Sequence, residues 1–105
     1  MTKEQQARYA AQAQIMKALA HPTRVFIAHQ LAEGERCVCE LTDMVGADTS
    51  TISKHLSIMK NAGIVDFEKR GTSMYYSLKM KCVPNFFSCA DQIIKERIES
   101  QMFFV

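Results

Sequence analysis

Long apolar stretches are missing from this sequence of 105 residues. No run of about 18 apolar residues occurs, and the polar amino terminus, residues 1–6, is not followed by an apolar segment, so neither a membrane-spanning helix nor a secretion signal is predicted. Internal repeats and low-complexity linkers are also absent. With 48% apolar and 23% charged residues, we expect one globular domain over residues 1–105, located in the cytoplasm and without a membrane partner.

An excess of one charge sign is missing as well. The chain has 13 Lys and Arg residues against 11 Asp and Glu residues, a formal net charge of +2. Such a mildly basic balance does not by itself indicate a nucleic-acid partner. Evidence for DNA binding must therefore come from local pattern.

Motifs of common enzyme chemistry are absent too. The sequence has no Gly-rich phosphate loop, no paired acid and base cluster and no Cys-x-x-Cys spacing, so we expect no enzyme. Four cysteines are present, but cytosolic reductants disfavour a disulfide framework. Metal binding and redox sensing are the functions that these thiols favour.

Hydrophobic periodicity predicts five helices and one β-hairpin. The predicted helices run from Glu4 to Leu19, from Pro22 to about Ala32, from Cys37 to a stop at Gly46, from an Asp48–Ser50 cap to Gly63, and from about Val83 toward the carboxyl end. Residues 64–70 and 73–79 are β-favouring and are joined across Gly71 and Thr72. The predicted fold is mainly α with a small β-hairpin, in the order of a winged helix-turn-helix.

The fourth predicted helix has the composition of a DNA-reading helix. Its short hydrogen-bonding and cationic side chains suit base edges and phosphates; they are Thr49, Ser50, Thr51, Ser53, Lys54, His55 and Lys60. Lys69 and Arg70 at the hairpin tip suit the phosphate backbone. A capped surface helix and a solvated loop edge are the alternatives, and the joint occurrence of both features favours double-stranded DNA.

Several motifs resemble the ArsR/SmtB family of metal- and metalloid-responsive repressors. They lie in the same order between about Ile15 and Leu78: residues 18–24 with His21-Pro22-Thr23-Arg24, Cys37-Val38-Cys39-Glu40-Leu41, residues 50–56, Gly63-Ile64-Val65, and Lys69-Arg70-Gly71 to Tyr75-Tyr76. The resemblance implies a homodimer formed by the first and last helices and bound to an imperfect inverted repeat in its own promoter. Independently, the Ala-rich first helix and the apolar end Met102–Val105 favour a dimer, with a tail folded on its own core as the alternative.

Cys37 and Cys39 are the predicted centre of a sensor. At the irregular start of a helix, two sulfurs one residue apart can converge on one soft ion, and the neighbouring Arg36 and the helix N-terminus favour the thiolate. The resemblance implies the same role for the Cys-Val-Cys element. The arsenite-sensing branch often has a further cysteine where this chain has Thr42, and the cadmium and lead branch uses amino-terminal cysteines that residues 1–36 lack.

Cys82 and Cys89 are therefore the remaining candidate ligands. Three thiolates suit trivalent arsenic or antimony, the predicted inducer, whereas four suit cadmium, lead or zinc. No cofactor is expected to be required for DNA binding. Burial of Cys82 and Cys89 as small apolar side chains, and oxidation of two cysteines to a disulfide as a redox signal, stay open as alternatives.

Overall fold

A computed structural model describes the backbone of residues 1–103 and the side chains of residues 1–102. The elements in chain order are α1 (Lys3–Leu19), α2 (Pro22–Glu33), β1 (Arg36–Cys37), α3 (Val38–Val45), α4 (Thr49–Asn61), β2 (Val65–Arg70), β3 (Ser73–Leu78) and α5 (Val83–Phe103). The predicted helices and hairpin are confirmed. Phe104, Val105 and the side chain of Phe103, part of the predicted apolar end, lie outside the described residues.

Local signals fix the ends of these helices. His21 is the N-cap of α2, its Nδ1 accepting the N–H of Thr23 at 3.1 Å, and Pro22 follows in the first turn, where no N–H is needed. The short helix α3 ends at Gly46, whose φ of 78° and ψ of 24° are left-handed. Glycine adopts this conformation without the steric penalty of a Cβ atom.

The sheet contains one strand that the sequence analysis missed. Its order is β1-β3-β2, and all pairs are antiparallel. Arg36 pairs with Tyr76 and Cys37 pairs with Tyr75. A strand of two residues is too short for an alternating pattern, so the predicted third helix included Cys37, whereas the structure gives this residue an extended backbone and starts α3 at Val38.

The core is built around α2 and α4. Ile52, Leu56 and Met59 of α4 are completely buried, which confirms the predicted apolar stripe, while Ile58 is 36% exposed. They share one cluster with buried residues from every other element except β1; these include Leu19, Ile27, Ala28, Leu31, Leu41, Ile64, Val65, Tyr76, Leu78, Val83 and Phe87. This packing leaves the other face of α4 free to point outward.

The first and last helices leave apolar surface uncovered. Of α1, only Ala18 and Leu19 are buried, and the predicted apolar alanines nearer its start are exposed. In α5, Ile93, Ile94 and Ile98 are each more than half exposed. Within the described residues α5 therefore does not fold its outer half onto its own core, and an apolar surface of this kind is typical of an interface. None of the described helices combines the length and apolar content needed to cross a membrane.

Candidate functional site

The outer face of α4 gathers the predicted DNA contacts. Thr49, Ser50, Thr51, Ser53, Lys54 and Lys60 are exposed, and His55 is half-buried. The face contains hydroxyl groups and cations and no carboxylate after the capping residue Asp48. It therefore has the chemistry that DNA phosphates and base edges require.

Asp48 organises the first turn of α4. Its Oδ1 accepts the backbone N–H of Thr51 at 2.8 Å and the hydroxyl of Ser50 at 3.1 Å. Hydrogen bonds lower the pKa of Asp48. In order of decreasing effect they come from the side chain of Thr51, the backbone of Thr51 and the side chain of Ser50. The cap holds Ser50 and Thr51 in place while both side chains stay exposed.

His55 connects α4 to the start of α2. Arg24 Nε donates to His55 Nδ1 at 3.1 Å, and the His21 ring lies 4.5 Å from the His55 ring. Burial, followed by the charges of His21, Arg24 and Lys54, lowers the pKa of His55 from its usual 6.5. His55 is therefore a predicted DNA contact that is half-buried and held by residues at the start of another helix. Arg24 belongs to the motif His21-Pro22-Thr23-Arg24, but its contact with His55 could not be predicted because the two residues are 31 positions apart.

The hairpin, or wing, presents its two predicted cations differently. Lys69 is exposed. Arg70 forms two hydrogen bonds with Glu35, one of them Nη2 to Oε2 at 3.0 Å, contacts Glu68 at 3.1 Å, and lies 4.7 Å above the Tyr75 ring. The hydrogen bond from Arg70 lowers the pKa of Glu35 and raises that of Arg70. Arg70, predicted to contact phosphate, is thus occupied by carboxylates in this structure.

We expect Glu35→Gln to strengthen DNA binding, because it frees Arg70 for a phosphate. When DNA affinity is measured over a range of salt concentrations, the variant should bind about 3-fold more tightly than the wild type at low salt. The slope of log affinity against log salt should steepen by about 0.9, the value for one added phosphate contact. Glu33→Gln, which removes a nearby carboxylate at the end of α2, is the matched control, because Glu33 contacts Arg36 and not Arg70. An unchanged salt slope in Glu35→Gln would show that Arg70 does not contact DNA.

Cys37 and Cys39 lie together at the turn from β1 into α3. In this structure their sulfurs are joined in a disulfide, with Cys37 buried and Cys39 exposed. Cys37 is the N-cap of α3: its Sγ accepts the N–H of Glu40 at 3.3 Å, and the Glu40 carboxylate accepts the N–H of Cys37. The structure therefore differs from the expectation of reduced thiols: the bond joins Cys37, the last residue of β1, to Cys39 in the first turn of α3.

Cys82 and Cys89 are both free and exposed, so they are not the buried apolar side chains of the alternative interpretation. Among the side chains that the structure describes, no three His, Cys, Asp or Glu residues are arranged to hold a metal ion. One chain therefore does not bring Cys82 or Cys89 to the pair Cys37 and Cys39. The four-cysteine ligand set of the sequence analysis stays a prediction that requires a second subunit.

The segment that contains the thiol pair and α4 is similar to known proteins. Residues 21–66, which include the thiol pair and α4, match the family model described as bacterial regulatory protein, arsR family. An uncharacterized helix-turn-helix transcriptional regulator of Methanocaldococcus jannaschii is 39% identical over 87 residues, covering 82% of this chain and 98% of the relative. The chain belongs to the ArsR family. ArsR proteins are DNA-binding transcriptional regulators and not enzymes, which confirms the predicted class.

Two further similar proteins bear on fold and length. A cadmium resistance transcriptional regulatory protein CadC homolog of Staphylococcus aureus is 46% identical over 67 residues, 63% of this chain, and the chain spans 55% of that relative's length. A solution structure from Mycobacterium bovis, a homodimeric winged helix-turn-helix DNA-binding domain, superposes with a TM-score of 0.81 at 29% identity, covering 95% of this chain and 93% of that one. The predicted winged helix-turn-helix is thereby confirmed.

Proposed function

We propose that this chain is a homodimeric repressor that releases an operator when trivalent arsenic or antimony binds reduced Cys37 and Cys39. The operator is an imperfect inverted repeat of double-stranded DNA in the chain's own promoter. One observation carries the proposal: the Cys37 and Cys39 sulfurs lie together at the start of α3, the helix that packs against α4. Two sulfurs this close can bind the same soft atom.

The DNA half of the proposal rests on the outer faces of α4 and of the wing. The polar face of α4 enters the major groove and Lys69 contacts phosphate. The exposed isoleucines of α5 and the exposed face of α1 form the dimer interface, as these two helices hold most of the exposed large apolar side chains of the described helices. Two-fold symmetry would place the two α4 helices about 34 Å apart, one turn of DNA.

The thiol half follows from the chemistry of the pair. Arsenous acid condenses with two thiols, forming two As–S bonds and releasing two waters, so trivalent arsenic and antimony can begin to bind with these two sulfurs alone. Cys82 or Cys89 of the partner subunit would supply a third sulfur, since both are exposed. Cadmium, lead and zinc prefer four ligands and are the second choice of inducer. The name of the S. aureus relative, a cadmium resistance regulator, supports keeping cadmium among the candidates.

The sheet and α3 supply a route from the sulfurs to the DNA. Cys37 pairs with Tyr75 of the wing, and the Tyr75 ring lies beneath Arg70. Cys39 lies in α3, which packs against α4. A ligand that reshapes the turn between β1 and α3 acts on both DNA-contacting elements, and it weakens DNA binding only if it prefers the DNA-free conformation.

A redox signal is the second candidate, and the Cys37–Cys39 disulfide specifically favours it. Oxidation of the two thiols by a peroxide forms the S–S bond and reduces the peroxide to water or an alcohol. In that case the disulfide would be the DNA-free form and the dithiol the repressing form.

An inducer panel separates these candidates. The protein, reduced with a phosphine because thiol reductants bind arsenite, is mixed with a labelled duplex of its own promoter, and anisotropy is measured during separate titrations with arsenite, antimonite, cadmium, lead, zinc and hydrogen peroxide. We expect release by arsenite and antimonite at the lowest concentrations, with a coupling of about 1–3 kcal/mol, or about 5- to 150-fold in DNA affinity. Release by peroxide alone would establish the redox candidate, and no release by any agent would contradict both.

A further inference from the structure

His55 differs from every other predicted DNA contact because it is half-buried and held by another side chain. Its Nδ1 accepts from Arg24 Nε, and its ring packs against His21 at 4.5 Å with an interplanar angle of 52°. Arg24 and His21 both belong to the start of α2. Two residues distant in sequence thus fix the orientation of one side chain on the DNA-facing helix.

The hydrogen bond from Arg24 also fixes where the proton of His55 lies. A guanidinium group only donates hydrogen bonds, so Nδ1 of His55 must be the unprotonated nitrogen. A neutral imidazole then carries its single proton on Nε2. Within the side chains that the structure describes, no protein group accepts a hydrogen bond from His55 Nε2.

We infer that Arg24 is a positioning residue: it holds His55 neutral, with an Nε2–H donor available for an acceptor on a base edge of the operator. Purine N7 and guanine O6 in the major groove are acceptors of this kind. The inference rests on the proposed DNA-binding function. It assigns sequence preference to a residue of α2 that does not itself belong to the DNA-facing helix.

The charges around His55 give this role a pH dependence. Burial, followed by charge interactions with His21 at the N-cap of α2, Arg24 in α2 and Lys54 in α4, lowers the pKa of His55 below 6.5. Protonation would remove the acceptor for Arg24 and place a second cation beside it. The arrangement is therefore complete above pH 6.5 and is lost as the pH falls through the lowered pKa, whereas purely electrostatic DNA binding strengthens as protons add positive charge.

Three variants test the inference by anisotropy, each on a labelled promoter duplex of about 30 bp and on a random-sequence duplex of equal length. Arg24→Met keeps the aliphatic stem and removes the donor. Lys17→Met is the matched control, because Lys17 lines the same cleft of about 510 Å³ as Arg24 and makes no hydrogen bond to His55. His55→Gln keeps an amide N–H near the position of Nε2 and does not titrate.

At pH 7.5 we expect Arg24→Met to lose about 10-fold in affinity for the promoter duplex and about 2-fold for the random duplex, and Lys17→Met to lose about 2-fold for both. Between pH 7.5 and 5.5 the wild-type preference for the promoter duplex should fall about 5-fold, and that of His55→Gln should stay constant. Circular dichroism at each pH checks that the proteins are folded.

Two results would overturn the inference alone: equal behaviour of Arg24→Met and Lys17→Met, or a wild-type preference that rises in acid. If Arg24→Met does not fold, the pH profiles of the wild type and His55→Gln still decide, since identical profiles contradict the role of Nε2. A wild-type protein with no preference for the promoter duplex at any pH would overturn the proposed function, and this inference with it.

Discussion

Cys37→Ser is expected to stay on its promoter duplex at arsenite concentrations that release the wild type completely. The variant retains one sulfur of the pair, so arsenic can no longer be bound by two linked thiols, and linked sites commonly gain about 10²- to 10⁴-fold in affinity over single ones. Anisotropy titration of the phosphine-reduced proteins should show a half-release concentration at least about 100-fold higher than that of the wild type.

The fold of this variant should be intact because serine is a strong N-cap residue. The introduced hydroxyl oxygen would take the place of Cys37 Sγ, which accepts the N–H of Glu40 in the structure. Cys39→Ser should show the same loss, since both sulfurs act as one unit, and Cys82→Ser and Cys89→Ser then show whether either supplies a third ligand. Full arsenite sensitivity in Cys37→Ser would rule out the pair as the sensor.

Leu56→Ala is expected to cause the largest loss of stability of any substitution considered in this chain. Leu56 is completely buried in α4, and removal of a buried leucine side chain costs about 2–5 kcal/mol. Natural domains have a total free energy of unfolding of about 5–15 kcal/mol. Thermal denaturation should show a melting temperature lower by about 10 °C or more, and DNA binding should weaken because the packed face of α4 orients its outer face.

Ser57→Ala is the matched control for this variant. Ser57 is the next residue of the same helix and is exposed, so its loss should change the free energy of unfolding by no more than about 0.5 kcal/mol. Both variants must be compared at equal protein concentration, because the stability of a dimer depends on concentration. A melting temperature of Leu56→Ala equal to that of Ser57→Ala would contradict the assigned core.

Periodicity was sufficient to predict the helices, the hairpin and their order. The α4 stripe of Ile52, Leu56 and Met59 recurs at helical spacing, and the alternating residues on either side of Gly71 indicate paired strands. These signals are local, so a single sequence contains them in full. The motifs that resemble the ArsR/SmtB family lie on these same elements, and the family match confirms that resemblance.

Contacts between distant residues were not predictable in the same way. Arg70 and Glu35 are 35 positions apart, and Arg24 and His55 are 31 apart. Their hydrogen bonds depend on how the wing and α2 pack against the remaining structure, which periodicity does not report. The sequence therefore predicted Arg70 as a free cation and gave Arg24 no role.

The strand β1 was missed for a different reason. It has two residues, and an alternating pattern needs at least four. Its pairing with β3 places Cys37 opposite Tyr75, so it determines which element the thiol pair contacts. A sensor was predictable from the Cys-x-Cys spacing, but its connection to the wing required the three-dimensional structure.

The central claim is that arsenic on Cys37 and Cys39 controls DNA binding, and one titration tests it most directly. The reduced protein is bound to its labelled promoter duplex and titrated with arsenite while anisotropy and the near-ultraviolet absorbance of the As–S bonds are recorded in the same sample. We predict that DNA release parallels the absorbance and is complete at about one arsenic per subunit. Saturation of the absorbance with the DNA still fully bound would contradict the account.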